Sequence, residues 1–537
     1  MAQSEISPES NAAPAENLNR TGLQKHLGFQ NATILALAGC LGLIELLPLG
    51  IGMGLWPSAN MINAIAIAVG VNIVLVILYT LIGAAVPHAG ADYVLASRVL
   101  PAPLAFAGTI CMLITAAVAV GAIAVLASQA VITPFLLYTS AEFQNSNIAE
   151  LAVTMTQPQG AIIAGTVVLF LAFLLSTLSP RANARATVVL LLLALAGWAV
   201  ILFQLVNADP AGFAVRWDEM LGQGSFAGRV SEARALTLLF TTTPSPLFLM
   251  GIPLGILIFF GARLPVLQSG EVKERPVRST LWSGWLAILA SAGLAIGAMV
   301  LLNRALPADW LAAESHLFLY NNQLEKPALP WLPFYAALLQ PNYVLFCVST
   351  AGILAGLVAA LQAMVRSFGR TVYALAKDGF LVDLVRFIHT GNHNPLVATL
   401  LFTIFAQVGV SFAASAGVMK TLHSTLFAMI CMQVLPALAA VFHPLAKREW
   451  VKRGETGAGK VNSPLLVLFG LLTVAILGWT IAGSMLYPAQ GTPIGTMDFL
   501  VLGIGFVIGL TLYFWQVILS RRRGSNPLKP YPRFPED

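Results

Sequence analysis

The first residues that could perform chemistry lie in an apolar stretch, "GCLGLIELLPLGIGMG", at positions 39–54. Its glycines and Pro48 interrupt helices, and Glu45 places a carboxylate among apolar residues. A second stretch, "MGIPLGILIFFGARLP" at 250–265, combines glycine and proline with Arg263. Unwound main chain can offer N–H groups to an anion and carbonyl groups to a cation. The two stretches therefore predict a site for a zwitterionic solute, or alternatively two glycine-rich packing surfaces with ordinary kinks.

The composition indicates that both stretches lie in a membrane. Of the 537 residues, 58% are hydrophobic and 10% are charged, whereas soluble proteins carry about 25% charged residues. Apolar runs of ~20 residues, long enough to cross a bilayer, recur along the chain. We predict an all-α membrane protein with about twelve transmembrane helices, near residues 30–54, 60–85, 103–136, 160–179, 186–206, 246–268, 280–302, 342–366, 395–414, 421–444, 464–485 and 497–520.

The basic residues predict how these spans are oriented. Most of the 29 Lys and Arg residues fall in alternate connections, and such an excess marks the cytoplasmic side of a membrane. We therefore expect a multi-pass protein of the plasma membrane, surrounded by lipid, with both termini in the cytoplasm. The same bias accounts for the net charge of +6 without a nucleic-acid partner. We expect no removable signal peptide before the first span.

The two interrupted stretches fall in the first and the sixth predicted span. Interruptions at corresponding positions of two halves are typical of transporters built from inverted repeats, in which the solute binds near the membrane midplane. Unwound main chain is stable at this depth only where it is buried in protein or lines a watery cavity. The pairing predicts that helices 1 and 6 are discontinuous and that their breaks form one site.

Three stretches resemble the amino acid–polyamine–organocation (APC) transporter superfamily. Residues 79–106, "YTLIGAAVPHAGADYVLASRVLPAPLAF", are similar to that family's turn between the second and third spans. Residues 259–282 resemble its sixth span and the following loop. Residues 366–401 resemble the end of its eighth span, which reads R-x-x-x-A-x-A-R-D-G. The matching residues are Pro87, Gly90, Tyr93, Arg370, Tyr373, Ala374, Ala376, Lys377, Asp378, Gly379 and Pro395.

This resemblance implies a leucine-transporter-type fold, in which five spans and five inverted spans are followed by two further helices. It also implies a secondary active transporter (permease), a symporter or antiporter, that moves amino acids or related small amines by alternating access. The corresponding segments are a cytoplasmic polar tail (1–28), a first five-helix repeat (29–206), an extracellular loop (207–245), a second, inverted repeat (246–445), a cytoplasmic basic loop (446–463), helices 11 and 12 (464–520) and a cytoplasmic basic tail (521–537).

The expected substrate site is the main chain at the two breaks. The register that best fits the family places the first break at 39–44, and a rival register uses 51–54, nearer the outer end. Phe259 or Phe260 would close over the substrate, or alternatively both are core aromatics. The predicted substrate contacts are Gly39, Cys40, Leu41, Gly42, Ile44, Phe259, Phe260 and Gly261.

Two intramembrane charges, Glu45 and Arg263, lie beside these breaks. Arg263 stands where the family often has an acid, in a Gly-Phe-Glu sequence. Charged groups inside a membrane usually pair or mark a pathway. We expect the two to approach each other, with Glu45 acting as a proton or cation site, or holding Arg263 for a substrate carboxylate. Alternatively, Arg263 reaches the inner interface and Glu45 faces outer water.

Ser349 and Thr350, in the eighth span, are candidate ligands of a coupling cation. In sodium-coupled relatives, hydroxyls of this span complete a cation site with carbonyls of the first span. Alternatively, both hydroxyls bond to carbonyls one turn back. Some proton-driven relatives carry a Lys in the fifth span, but residues 186–206 contain none. Coupling to Na⁺, coupling to H⁺ and pure exchange are all compatible with the sequence, and no cofactor or metal site is expected.

Several other sequence patterns give weaker evidence about function. Residues 454–461, "GETGAGKV", nearly match a phosphate-binding loop, but the sequence predicts no strand and helix around them, so a flexible loop is the better interpretation. His389 and His393 fall in a connection without further ligands. The four cysteines fall in predicted spans, which argues against disulfides. Gly505 and Gly509 form a GxxxG pattern that hints at dimerisation, although monomer and dimer are both compatible with the sequence.

Three alternative functions compete with an amino acid permease. A transporter of the same fold could carry another small solute, such as an organic anion attracted by Arg263. A non-transporting membrane subunit could retain the fold, although it would be expected to lose the paired breaks. A membrane enzyme would need convergent His, Asp or Ser side chains on neighbouring spans. The sequence presents no such set, so we expect no enzymatic activity.

Overall fold

The computed structural model describes residues 23, 25–55, 57, 60–236, 258–273, 276–319, 328–389, 391–452, 463–486 and 495–522. Within these ranges the chain is helical, and its β-structure amounts to two isolated bridges, Leu27 with Val272 and His389 with Asn394. The first part of the sixth predicted span, with Gly251, Pro253 and Gly255, lies outside the described residues, as do the stretch 454–461 and the C-terminal tail.

The helices follow one another through most of the chain. In order they are α1 (Phe29–Leu41), α2 (Met61–Ala85), α3 (Ala91–Val99), α4 (Ala102–Leu126), α5 (Thr133–Phe143), α6 (Ser146–Thr156), α7 (Pro158–Thr177), α8 (Pro180–Val206), α9 (Pro210–Leu221), α10 (Ser225–Ala235), α11 (Pro276–Ala305), α12 (Ala308–Leu319), α13 (Leu332–Leu339), α14 (Tyr343–Lys377), α15 (Leu396–Ala416), α16 (Val418–Lys452), α17 (Ser463–Leu486) and α18 (Thr496–Arg522).

Ten helices of the described chain are long and apolar enough to cross a membrane. They coincide with the second to fifth and the seventh to twelfth predicted spans, so the prediction of an all-α, multi-pass membrane protein is confirmed. The two remaining predicted spans are the interrupted ones. The first corresponds to α1 and the segment after it, and the sixth begins outside the described residues. The total of twelve and the inverted repeat stay predictions.

The first span is not a continuous α-helix. α1 ends at Leu41, a turn covers residues 42–44, and the wider turns of a π-helix run over Glu45–Gly52 before a last α-turn at Met53–Leu55. The local sequence explains the change, because Gly42 disfavours helix and Pro48 lacks the N–H that a regular ladder needs. Freed main-chain groups at this point need other partners.

The elements after the break determine what surrounds it. α1 packs against α8, α11 and α14 and against a short 3₁₀ segment, Phe259–Arg263, while the π-helix packs against α12 and α13. We call one end of the helix bundle the predicted extracellular end; it contains α9, α10, α12 and α13. The start of α1 and the ends of α2 and α14 lie at the predicted cytoplasmic end.

Candidate functional site

The two interrupted stretches meet through their main chains at Gly39 and Gly261. A Cβ atom at Gly39 would lie 2.5 Å from the Cα of Gly261, and a Cβ at Gly261 would lie 2.1 Å from the carbonyl carbon of Gly39. Real side chains do not approach so closely, so glycine is required on both sides of the contact. The tertiary structure thus brings together two stretches that are more than 200 positions apart in the chain.

The predicted substrate-contact residues surround this meeting point. Phe259 and Phe260 lie on the 3₁₀ segment, and the ring of Phe260 stacks on Phe368 of α14 with the centroids 5.6 Å apart. Such stacking suits a core aromatic as well as a side chain that closes over a ligand. All eight residues are buried: Gly39, Cys40, Leu41, Gly42, Ile44, Phe259, Phe260 and Gly261.

Gly42, at the end of α1, faces the eighth predicted span. A Cβ there would lie 2.2 Å from the carbonyl oxygen of Gly356 on α14. In the rival register, a Cβ at Gly54 would instead lie 2.4 Å from the main-chain nitrogen of His316 on α12. The first register therefore places its glycines between α14 and the 3₁₀ segment, whereas Gly54 lies beneath the helices of the predicted extracellular end.

Glu45 is buried at the start of the π-helix, with 1% of its surface exposed. Its Oε1 accepts the main-chain N–H of Leu332 over 3.1 Å, and its Oε2 has no hydrogen-bond partner. Leu332 opens α13, and a carboxylate at a helix N-terminus is stabilised by the free N–H groups there. Glu45 therefore does not face open water, in contrast to one interpretation of the sequence.

Arg263 is buried on the opposite side of the contact, with 1% of its surface exposed. Its Nη1 donates a hydrogen bond to Oε1 of Gln433 on α16. Its guanidinium carbon lies 5.1 Å from the ring centre of Tyr79 and 4.6 Å from that of Phe260, distances typical of cation–π contacts. A snorkelling Arg263 at the membrane interface is therefore wrong for this structure.

The sequence reasoning missed Tyr79 and Gln433, the partners of this guanidinium. Tyr79 lies in the stretch that resembles the family's second span, so the motif could have drawn attention to it. Gln433 follows an unremarkable apolar run of the tenth predicted span, and only its contact with Arg263 distinguishes it.

Glu45 and Arg263 have different partners in this structure, so direct pairing in another conformation is an alternative that charge reversal can test. Because each is already placed by its own contacts, we expect the double variant Glu45→Arg with Arg263→Glu to be as inactive as either single variant. The measurement is uptake by reconstituted protein once a substrate is known. Uptake restored by the double reversal would show instead that the two charges meet in another state.

A partly open cavity lies beside Tyr79 and Gln433, between α3, α4, α14 and α16. Its wall includes Asp92, whose Oδ1 accepts the N–H of Tyr93 over 2.8 Å. Burial raises the pKa of Asp92 to about 6, although the Tyr93 N–H and the positive Arg263 act in the opposite direction. The carboxyl group of Asp92 and the guanidinium group of Arg263 therefore interact, a feature that the sequence did not suggest.

The candidate cation ligands, Ser349 and Thr350, are buried on α14. The Ser349 hydroxyl donates to the carbonyl of Phe346 over 2.9 Å, which is the helical back-bonding considered as the alternative. The Thr350 hydroxyl has no hydrogen-bond partner. A cation site at this pair stays a prediction.

The predicted cytoplasmic end contains a buried ion pair between α3 and the end of α14. Arg98 donates through Nη1 and Nη2 to the two carboxylate oxygens of Asp378, over 2.5 and 2.7 Å. The Tyr93 hydroxyl donates to the same carboxylate over 2.8 Å. Tyr93 and Asp378 both belong to the stretches that carry the family resemblance, so two separate motifs form one contact.

A second set of contacts joins the chain after the 3₁₀ segment to α14. Gln268 Nε2 donates to the Ser367 hydroxyl over 2.8 Å, and Arg370 Nε donates to Glu271 Oε1 over 2.8 Å. His26 Nδ1 lies 3.3 Å from Oε2 of the same glutamate. These contacts link the sixth predicted span, the eighth predicted span and the chain before α1.

At the predicted extracellular end, a buried ion pair and an aromatic cluster join the short helices. Arg229 Nε lies 3.0 Å from Glu314 Oε2, and Leu329 N–H donates to Oε1 of that acid over 2.7 Å. Trp217 packs edge-on against Trp310 with centroids 4.9 Å apart. These contacts hold α9, α10, α12 and α13 together above Glu45.

The remaining sequence patterns find structural explanations. A Cβ at Gly509 would lie 2.6 Å from the Cα of Ala107, and one at Gly505 would lie 2.9 Å from Cys111 Sγ. The GxxxG pattern therefore packs α18 against α4 within the chain, while the oligomeric state stays a prediction. All four cysteines are free thiols. Among the described residues, His389 and His393 included, no three His, Cys, Asp or Glu side chains form a metal-binding group.

Comparison with known proteins agrees with these features. A search of curated proteins found no match. The model of the family described as amino acid permease matches residues 27–509. This range includes both interrupted stretches, the Tyr93 and Asp378 motifs, nine of the ten apolar helices and the first half of the tenth, Thr496–Arg522. The chain therefore belongs to the amino acid permease family of the APC superfamily.

Proposed function

We propose that the protein is a secondary active transporter that moves amino acids or related small amines across the plasma membrane by alternating access. The observation that carries the proposal is the main-chain contact of Gly39 with Gly261, where the break after α1 meets a 3₁₀ segment. Helices interrupted at a shared point near the midplane are the arrangement with which inverted-repeat transporters bind their solutes.

Main-chain groups at the break suit a solute that carries both an ammonium and a carboxylate. The turn at 42–44 leaves the regular α-helical ladder, so some N–H and carbonyl groups there are available when the surrounding helices separate. Freed N–H groups attract a carboxylate and freed carbonyls attract an ammonium. We therefore propose that the substrate occupies the space between the turn and residues Phe259–Gly261, with Phe259 or Phe260 covering it.

Alternating access requires contacts that break at one end while others form. The Gln268–Ser367 and Glu271–Arg370 contacts join the sixth and eighth predicted spans at the predicted cytoplasmic end. In our proposal, spans one, two, six and seven rock against the others, so these two contacts separate when the protein opens to the cytoplasm. The covering helices above Glu45 would separate when it opens outward.

The energy source in this proposal is an ion gradient or the exchange of one solute for another. Na⁺ would use hard oxygen ligands near Ser349 and Thr350, whereas H⁺ would use a carboxylate such as Glu45. The Oε2 of Glu45 and the Thr350 hydroxyl, both buried and without hydrogen-bond partners, are compatible with these roles.

The proposal is tested by ligand screening followed by transport. The thermal stability of the purified protein is measured with amino acids, amines and organic acids, in sodium and in choline buffers. Solutes that raise the melting temperature are then assayed for uptake into proteoliposomes under a sodium gradient, a proton gradient or exchange. We expect saturable uptake of at least one amino acid or amine. Uptake confined to organic anions would favour a different substrate class, and stabilisation without any uptake would favour a non-transporting subunit.

A further inference from the structure

A second, partly open cavity lies at the predicted cytoplasmic end between α1, α8 and α14. It is separate from the Gly39–Gly261 contact and from the cavity that contains Asp92. Its wall is unusually polar for a space between membrane helices, because it includes His26, Asn31, Asn183, Thr187, Gln268 and Arg366. A cavity with polar walls can hold water or a small polar solute that bonds to those walls.

Arg366 supplies a charged donor to this cavity. Its side chain is 1% exposed, and its Nη1 donates to the carbonyls of Ser176 and Leu178, at the end of α7, over 3.1 and 3.3 Å. Its Nη2 is buried and has no hydrogen-bond partner. A buried N–H of a charged group costs free energy unless it is satisfied, so the unpaired Nη2 indicates a missing acceptor.

The charges around Arg366 do not balance. Arg366 and Arg370 are both buried, and the acid that acts on both is Glu271. Its carboxylate is already engaged, since Oε1 accepts from Arg370 Nε over 2.8 Å and His26 Nδ1 lies 3.3 Å from Oε2. The carbonyls at the end of α7 supply partial negative charge only. Two buried guanidinium groups therefore share one carboxylate.

Gln268 adds a second unsatisfied polar group to the same cavity. Its Nε2 donates to the Ser367 hydroxyl over 2.8 Å, and its Oε1 is buried without a hydrogen-bond partner. The two ends of an amide are assigned from their hydrogen bonds. With the Ser367 hydroxyl donating to Oε1, the Nε2 group would turn to the cavity and become a second donor beside Arg366.

We propose that this cavity binds one small carboxylate, with the Arg366 Nη2 as its charged donor and the Gln268 amide as its second contact. A carboxylate supplies the missing negative charge and accepts two hydrogen bonds in a fork that matches these donors. It can belong to a free organic acid or to an amino acid. This inference does not depend on the proposed transport, because binding can be measured in the isolated protein.

The test uses a mutation that places a carboxylate side chain in the cavity. In Gln268→Glu, the new side chain would sit beside Arg366 and accept from Ser367, in place of a bound anion. The full-length purified protein is heated with sodium acetate, glycine or sodium chloride at equal ionic strength. We expect acetate or glycine to raise the melting temperature of the wild type by about 3 °C at saturation, and chloride to raise it less.

In Gln268→Glu we expect a higher melting temperature without added anion, and no further rise with acetate or glycine. The matched control is Gln516→Glu, which adds the same charge at the same end, where Gln516 Nε2 contacts the Gly379 carbonyl. This control should keep the anion response. Only the part of a response that Gln268→Glu abolishes belongs to this cavity, since glycine can also bind at the proposed substrate site. If that part is larger for glycine than for acetate, the source of the carboxylate is an amino acid, and the reverse identifies a free acid. An equal acetate response of wild type and Gln268→Glu, or a response to chloride as large as to acetate, would overturn the proposal.

Discussion

Replacing Gly261 with alanine should reduce transport by at least about fivefold. A Cβ at this position would lie 2.1 Å from the carbonyl carbon of Gly39 and 2.5 Å from the nitrogen of Cys40. These atoms are main chain, so no side-chain rotation can relieve the overlap. Overpacking of this kind costs ~1–3 kcal/mol. If the cost falls on the state in which the two stretches touch, its population falls by a factor of about 5 to 150.

The measurement is the initial rate of uptake of the substrate found by screening, normalised to the amount of folded protein in the proteoliposomes. The matched control is Gly293→Ala on α11, where an added Cβ meets no atom within 4 Å. That variant should transport like the wild type, since alanine is also the better helix former. A Gly261→Ala protein with normal uptake would show that transport does not need the close contact of the two breaks.

The second large effect is expected from Glu271→Gln, which keeps the shape of the side chain and removes its charge. Arg370 and Arg366, which are both buried, would then lose the carboxylate charge of Glu271 that acts on each of them. Removing one member of a buried ion pair typically costs ~3–5 kcal/mol, because the remaining charge is uncompensated. We therefore expect the melting temperature to fall by about 3–4 °C.

The matched control for Glu271→Gln is Asp383→Asn at the same end of the protein. Asp383 pairs with Arg386, but its side chain is 89% exposed, and exposed ion pairs contribute at most about 1 kcal/mol. The control should therefore leave the melting temperature nearly unchanged. An equally small effect of Glu271→Gln would mean that water reaches the Arg366–Arg370 region and screens its charges.

Glu271 also predicts a pH dependence of stability. Burial by itself raises the pKa of this carboxyl, but Arg370, His26 and Arg366 outweigh it, and the pKa is lowered from its ordinary value of 4.5. A lowered pKa means that the ionised form stabilises the folded state above pH 4.5 and that this contribution is lost as the pH falls through the folded-state value. The wild type should therefore lose more stability on acidification than Glu271→Gln does.

The interrupted first helix illustrates what local sequence can predict. Gly42 and Pro48 weaken the helix wherever they occur, because one lacks a side chain and the other lacks an N–H. The observed change from α-helix to turn at Gly42 falls within the predicted break at 39–44. The positions of the ten apolar helices could be predicted for a similar reason, because the length of an apolar run and the thickness of a bilayer are enough to locate a span.

The predicted approach of Glu45 to Arg263 shows that local sequence does not identify the partners of buried charged side chains. Two opposite charges beside two matching breaks suggested a pair, but Glu45 bonds to the N–H of Leu332 and Arg263 bonds to Gln433. Both partners lie more than 150 positions away in the chain. Which of several polar groups a buried charge reaches depends on helix rotation and on distances of a few ångströms, and neither has a signature in the local sequence.

The sequence by itself determined that this chain is helical, carries many apolar spans, is interrupted in the first of them and resembles the APC superfamily. These properties depend on local composition, backbone chemistry and short motifs. Only the tertiary structure decided that Gly39 touches Gly261, that Gly505 and Gly509 pack within the chain, and that Arg366 keeps an unpaired N–H beside a polar cavity. Those contacts join segments far apart in the chain, so they arise only when all the helices have packed.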